Sequence, residues 1–126
     1  MTPAGSIGIV TGSPGAGKTT LCRTLCHRTP DTVLISGDAF FGWITQPVDP
    51  TEPRSAAQNR TVIQAQARAA DTFARGGSRV VLEGIVGPWF VGEFCAQLSA
   101  AKSISYVILM PHLSDAVARA EERAEA

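Results

Sequence analysis

At 126 residues, 44% hydrophobic and 17% charged, the chain suits one compact globular domain and leaves little room for a second. Eleven Lys plus Arg balance eleven Asp plus Glu, so no global field draws it to nucleic acid or an anionic membrane, and a small diffusible partner fits better. No basic segment followed by an unbroken apolar core opens the chain, and no apolar run approaches the roughly 20 residues that span a bilayer, so a cytoplasmic protein is expected.

Ser6 to Thr11 reads as a short buried strand. It runs into Gly12-Ser13-Pro14-Gly15-Ala16-Gly17-Lys18-Thr19, which matches G-x-x-x-x-G-K-[ST] in full, and a helix from Thr19 to Arg28 follows with no Gly or Pro to interrupt it. Strand, loop and helix in that order make a phosphate cradle. The glycines let backbone N–H groups turn inward around a polyphosphate, Lys18 bridges the terminal phosphates and the Thr19 hydroxyl ligates magnesium. An ordinary Gly-rich turn would leave Lys18 and Thr19 at their fixed offsets unexplained. Cys22, Cys26 and Cys95 form an odd set, so no disulfide framework is expected. Cys22 and Cys26 lie one helical turn apart beside His27, a spacing that admits a metal, but beside Leu21 and Leu25 they read as small buried hydrophobes.

Thr32 to Ser36 is a second strand, ended by Gly37-Asp38, and Phe40 to Pro53 reads as an irregular, aromatic, Pro-containing connection. A long helix is expected from Arg54 to Arg75, with Val62, Ala65, Ala69 and Phe73 on one apolar stripe and Gly76-Gly77 as its stop. Arg79 to Glu83 is a third strand, apolar enough to be covered on both faces. Pro88 opens a short helix through Leu98, Ser103 to Met110 is a fourth strand, and Ser114 is the N-cap of a last helix to Ala126. This alternation predicts an α/β fold with a parallel sheet and helices on both faces, whose ligands bind at the carboxyl ends of the strands.

The polar residues just after each strand are therefore the candidates. Asp38, past the second strand, can accept the proton of an attacking hydroxyl and help hold a metal-bound water; the competing reading is a turn aspartate that caps the backbone. Glu83 ends the run Val80-Val81-Leu82 where P-loop proteins usually place an aspartate that holds magnesium; the alternative is a polar strand end facing solvent. Arg119 and Arg123 share a helix face and can cover a transferring phosphoryl group, although Glu121, Glu122 and Glu125 among them equally suit an ion-paired solvated helix. Phe40, Phe41, Trp43 and Ile44 after Asp38, with Trp89 and Phe90 after Glu83, either wall a substrate pocket or pack the core. Gln58, Asn59 and Arg60 read as a solvated helix face.

Gly12 to Thr20, Ser36-Gly37-Asp38-Ala39-Phe40-Phe41, Gln58-Asn59 and Val81-Leu82-Glu83-Gly84-Ile85-Val86-Gly87-Pro88-Trp89-Phe90 together resemble the AAA-type P-loop kinases related to chloramphenicol phosphotransferase, zeta toxin and gluconate kinase. The resemblance covers nearly the whole chain. It implies a three-layer α/β/α P-loop NTPase sandwich on a five-stranded parallel sheet, of which four strands are visible here. It also implies ATP-dependent phosphorylation of a hydroxyl on a small molecule, with Mg2+. By motif position, Gly12, Ser13, Pro14, Gly15, Ala16, Gly17, Lys18, Thr19 and Thr20 hold the nucleotide, and Thr19 and Glu83 the metal. Lys18, Asp38, Arg119 and Arg123 serve catalysis, Asp38 as base or substrate anchor and the arginines where such kinases begin their lid. The family continues past the lid helix with a further strand and an adenine-contacting loop, so a C-terminally truncated domain is expected of a chain that stops at Ala126.

Two other readings stand beside this one. A nucleotide-binding switch or ATPase without a small-molecule acceptor would need Lys18 and Glu83 but not Asp38. A polynucleotide 5′-hydroxyl kinase would want a basic track, for which Arg54, Arg60, Arg68, Arg75 and Arg79 are a modest cluster opposed by the balanced net charge. Pocket shape decides the acceptor, and the connection after Asp38 carries no transferable code for it.

Overall fold

The computed structural model describes residues 4–12, 17–99 and 103–110. Four parallel strands, β1 (Ile7–Gly12), β2 (Thr32–Ser36), β3 (Arg79–Glu83) and β4 (Ile104–Leu109), stand in the order β2-β3-β1-β4. Between them run α1 (Lys18–His27), the short α2 (Gly37–Gly42), the long α3 (Ala56–Arg75) and α4 (Val91–Ala96). The α/β reading with helices on both faces of a parallel sheet is what the structure shows.

Strand alternation sorts the apolar side chains into two layers. Ile7, Ile9, Ile35, Val80 and Leu82 point to the face covered by α3 and α4, where Val62, Ile63, Ala67, Ala70, Ala74 and Phe94 meet them. Val10 and Val81 point to the opposite face and pack on Cys22 of α1, with Leu34, Leu109 and Cys26 at the margin. A central strand such as β3 is therefore apolar on both sides, as parallel strands between helical layers must be.

The buried stripe of α3 differs from the one that apolar spacing suggests. Val62 lies on it, but the stripe runs through Ile63, Gln66, Ala67, Ala70, Asp71 and Ala74, while Ala65 is exposed and Phe73 is 46% exposed. A phase read from apolar residues alone skips Gln66 and Asp71, whose burial rests on hydrogen bonds. Asp71 accepts from the Ser99 backbone N–H at 3.0 Å, from the Ser99 hydroxyl at 2.9 Å and from Arg75 at 2.8 Å. Together with Gln64 to Glu93 at 2.7 Å and Arg68 to Gln97 at 3.1 Å, it forms a polar seam that fastens α4 to α3.

The segment after β2 also departs from its sequence reading. Phe40, Phe41 and Gly42 belong to α2, so the irregular connection begins at Trp43 and ends in a 3-10 turn at Pro53–Ser55. No described helix is long and apolar enough to cross a membrane.

Phe94 is the largest fully buried side chain, and it anchors a helix of only six residues. Phe94→Ala should cost about 3–5 kcal/mol, read as a lowered urea midpoint with an unchanged slope. A loss under about 1 kcal/mol would show that the polar seam alone holds α4.

Candidate functional site

Because β1, β2 and β3 are parallel, their carboxyl ends meet along one edge. Glu83, the last residue of β3, lies opposite Val10 of β1 on one side and Ser36 of β2 on the other. The carboxylate is thus central, and it is buried. Gly17 ends the loop after β1 with φ 85° and ψ 14°, a left-handed conformation that costs a side chain strain and costs glycine little. α1 starts at the next residue, has no acidic side chain in its first turn and takes no side-chain cap. Its first N–H groups are left for an anion, at the positive end of the helix dipole. Ser13, Pro14, Gly15 and Ala16 lie outside the described residues.

Lys18 and Thr19 open this helix beside Glu83. Lys18 is only 4% exposed and forms no salt bridge among the described residues. A buried ammonium without a carboxylate partner suits an anionic ligand that supplies the countercharge. The Thr19 hydroxyl donates to Glu83 Oε2 across 3.4 Å, bringing two oxygens together from helix and strand. Magnesium takes one or two protein oxygens and completes its shell with substrate phosphates and water, so this pair fits it, while no group of three or more His, Cys, Asp or Glu suited to a metal occurs among the described residues. Thr20, at the exposed side of the first turn, accepts the Thr24 hydroxyl on its carbonyl at 3.0 Å.

Cys22, one turn on from Lys18 and Thr19, is a core side chain, as its setting beside Leu25 suggested, although Leu21 itself is exposed. Burial pushes its thiol up to about 11, Glu83 and Cys26 add to the rise, and Lys18 opposes it. The Cys26 thiol is raised by burial too. Both behave as small hydrophobes.

Asp38 occupies the first turn of α2, two residues beyond β2. It is exposed, and its Oδ1 would stand 3.8 Å from a Cβ placed on Gly84, so it reaches across to the end of β3. Two glycines meet at that approach, Gly37 more tightly than Gly84. A Cβ on Gly37 would stand 3.1 Å from both the Glu83 carbonyl oxygen and Gln66 Nε2, and one on Gly84 3.4 Å from the Gly37 Cα. Gln66, buried in the middle of α3, donates from Nε2 to the Gly37 carbonyl at 2.9 Å and so fixes the start of the helix that carries Asp38. Its own Oε1 is buried and has no hydrogen-bond partner among the described residues. Sequence reasoning missed Gln66, since a polar residue inside a helix carries no sign that it faces inward.

The loop after Glu83 is held from two strands. The Val86 N–H donates to Thr11 Oγ1 of β1 at 2.9 Å, and the Tyr106 hydroxyl of β4 donates to the Val86 carbonyl. Beyond it the Trp89 ring folds over Gly87, where any Cβ would overlap it. The aromatic residues divide between the two readings. Phe40 is buried, and Phe41, Ile44 and Phe90 pack partly on the core. Trp43 and Trp89 are 70% and 78% exposed.

Gln58 and Asn59 are not the solvated face their sequence suggests. Gln58 bonds both the N–H and the carbonyl of Val48 at 2.8 Å, and Asn59 donates to the Pro50 carbonyl at 3.0 Å and to Ser55 Oγ at 2.9 Å. Both tie the connection to α3; Arg60 is exposed as expected. The other arginines of the cluster Arg54 to Arg79 are engaged locally: Arg54 with Glu52, Arg68 with Gln97, Arg75 with Asp71, and Arg79 with the Pro30 carbonyl. Ser114, Arg119 and Arg123 lie outside the described residues.

A protein family described as an AAA domain matches residues 7–126. No curated protein matches the chain. Among solved structures, a chain of the Pnkp1/Rnl/Hen1 RNA repair complex is similar with a TM-score of 0.68 at 16% identity, over 98% of this chain and 38% of its own length. An unliganded sugar kinase from Janibacter sp. HTCC2649 is similar with a TM-score of 0.70 at 17% identity, over 94% of this chain and 67% of its own. This chain spans 38% and 40% of the two repair-complex chains it matches. Likeness at such identities is likeness of fold.

The cysteine assignment has a chemical test. Iodoacetamide at pH 8 should modify the half-exposed Cys26 and Cys95 and spare Cys22, which should react only after denaturation. Mass spectrometry reads the sites, and labelling of Cys22 in the folded protein would remove it from the core.

Proposed function

The chain belongs to the AAA-domain family of P-loop proteins matched over residues 7–126, and we propose that it is an ATP-dependent phosphotransferase that moves the γ-phosphate to a hydroxyl of a small molecule. The observation that carries this reading is the shared edge of the sheet. There, a buried Lys18 that forms no ion pair among the described residues, the Thr19 and Glu83 oxygens and the Asp38 carboxylate gather at the ends of three adjacent strands. A switch or ATPase module needs the first three residues. Asp38, steadied through Gly37 by Gln66, is what a hydroxyl acceptor adds.

In this reading the residues from Gly12 to Thr20 wrap the triphosphate, and Lys18 neutralises the transferring group. Thr19 and Glu83 hold magnesium, which when bound offsets charge on the phosphates. Asp38 accepts the proton of the attacking hydroxyl or anchors it. Arg119 and Arg123 are proposed to neutralise charge on the transferring phosphoryl group. A cytoplasmic setting and a soluble metabolite as partner complete the proposal.

The RNA repair likeness favours one competitor, phosphorylation of a polynucleotide end. The arginine cluster does not support it. Arg79 opens β3 at the amino end of the strands, away from the site, and Arg75 and Arg68 lie on the half of α3 that leads there. Among the described residues of the cluster, only Arg54 and Arg60, where α3 begins, lie toward the site end, short of the continuous basic track that a duplex or single strand needs for its phosphates.

Incubation with γ-labelled ATP and a metabolite pool should transfer label to a small alcohol. Lys18→Ala should lose ATP binding, whereas Asp38→Ala should keep it and lose about 10²–10⁴-fold in transfer. Label reaching only water sinks the kinase reading; Asp38→Ala transferring as wild type removes Asp38 from the chemistry.

A 5′-hydroxyl oligonucleotide should remain unlabelled in the same assay, with no steep salt dependence of binding. Efficient labelling of that oligonucleotide would replace the small-molecule reading with the polynucleotide one.

A further inference from the structure

Gln66 is 2% exposed in the middle of α3, on the buried stripe it shares with Ile63, Ala67 and Ala70. Its Nε2 donates to the Gly37 carbonyl at 2.9 Å, while its Oε1 is left bare among the described residues. Asp71, the other buried polar residue of α3, is different: Ser99 bonds both of its oxygens and Arg75 one of them, and these contacts fasten α4. A buried amide with a bare carbonyl oxygen costs more in desolvation than its one bond returns. An apolar side chain of the same length would fill the position without that cost. Folding alone therefore does not account for Gln66.

What the bond holds is α2. That helix has six residues, too few to be stable by itself, with no side-chain cap at Ser36 and no basic residue in its last turn. Phe40 pins it to the core, yet a single anchor leaves a short helix free to pivot. Among the described residues, no side chain other than Gln66 hydrogen-bonds the backbone of α2 from another element. The bond falls on Gly37, three residues from Phe40, where a Cβ would stand 3.1 Å from both Gln66 Nε2 and the Glu83 carbonyl oxygen. Asp38 is the next residue. Phe40 thus sets where α2 lies, and Gln66 sets how its first turn is held against the end of β3, hence where the exposed Asp38 carboxylate points.

We propose that Gln66 is a positioning residue that lowers the stability of the fold and, through the Gly37 carbonyl, fixes the orientation of Asp38. The role of Asp38 rests on the phosphotransferase reading; the coupling of Gln66 to α2 does not. In the transfer, the alcohol oxygen bonds to the γ-phosphorus, the bond from that phosphorus to the β,γ-bridging oxygen breaks, ADP leaves and the alcohol proton passes to Asp38. That step needs the carboxylate within hydrogen-bond reach, and a misplacement of about 1 Å can cost on the order of a hundredfold in rate.

Gln66→Met replaces the amide by an apolar chain of similar length, and Gln66→Leu does so with less reach toward Gly37. Both should unfold in urea at a midpoint no lower than that of the wild type. Hydrogen exchange in the ligand-free protein, read by NMR, should quicken about tenfold or more at Phe41 and Gly42 of α2 and stay unchanged at Leu25 of α1. In the γ-labelled ATP assay, kcat for transfer should fall about 10–100-fold with the KM for ATP unchanged. Added to Asp38→Ala, either substitution should cause no further loss, because both act on the same carboxylate. A midpoint clearly below wild type in both variants, or unchanged exchange in α2, makes Gln66 an ordinary core residue and overturns the proposal. Transfer at the wild-type rate, or a full additional loss on top of Asp38→Ala, overturns it too. Faster exchange in α2 with label reaching only water upholds the coupling of Gln66 to α2 and removes the phosphotransferase reading instead.

Discussion

The close approach of two backbones, Gly37 after β2 and Gly84 after β3, is the constraint on which the site depends. A Cβ on Gly84 would touch the Gly37 Cα at 3.4 Å, and one on Gly37 would stand only 3.1 Å from the Glu83 carbonyl oxygen. Without side chains at these points, the segment leaving β2 lies against the end of β3. That contact carries Asp38 to the edge where Glu83 stands between β1 and β2. A side chain at Gly37 would press on the Glu83 carbonyl oxygen and on Gln66 Nε2 and would need both to give by a few tenths of an ångström, whereas one at Gly84 would meet Gly37 at ordinary contact distance, so Gly37 is the tighter of the two.

Around this contact the two faces of the sheet do different work. The face under α3 and α4 holds most of the buried side chains and the Asp71 seam, so the fold's stability is concentrated there. The face under α1 rests on a small cluster of Val10, Cys22 and Val81. A small side chain such as Cys22 lets α1 lie near β1 and β3, which sets Thr19 within reach of Glu83. The burial that makes Cys22 chemically inert follows from that same proximity.

Much of this was legible in the sequence because it rests on local rules. Strand alternation, the fixed spacing of the phosphate loop and the carboxylate at the end of an apolar strand each follow from a few neighbouring residues. What was not legible depends on partners far along the chain. Gln66 and Asp71 read as polar helix residues, and only the carbonyl of Gly37 and the backbone of Ser99 explain their burial. Gln58 and Asn59 looked solvated because Val48 and Pro50, which they bond, belong to a connection without periodicity. The residues Phe40 to Gly42 looked irregular because a six-residue helix is too short to show a period, and tertiary packing of Phe40 decides it.

The loops beside the site share one device, a side chain that holds a backbone group of another segment. Thr11 and Tyr106 hold Val86 from two strands, Gln58 holds Val48, and Gln66 holds Gly37. Each bond removes freedom before a ligand arrives, so less ordering remains to be done on binding. The described phosphate side, by contrast, is built mainly from helix-terminal N–H groups and residues beside them, whose spacing tolerates no change. Gln58 and Gln66 both sit on α3, so a single helix fastens the connection at Val48 and the start of α2 at Gly37, while its residues Ala57, Thr61 and Ala65 stay exposed.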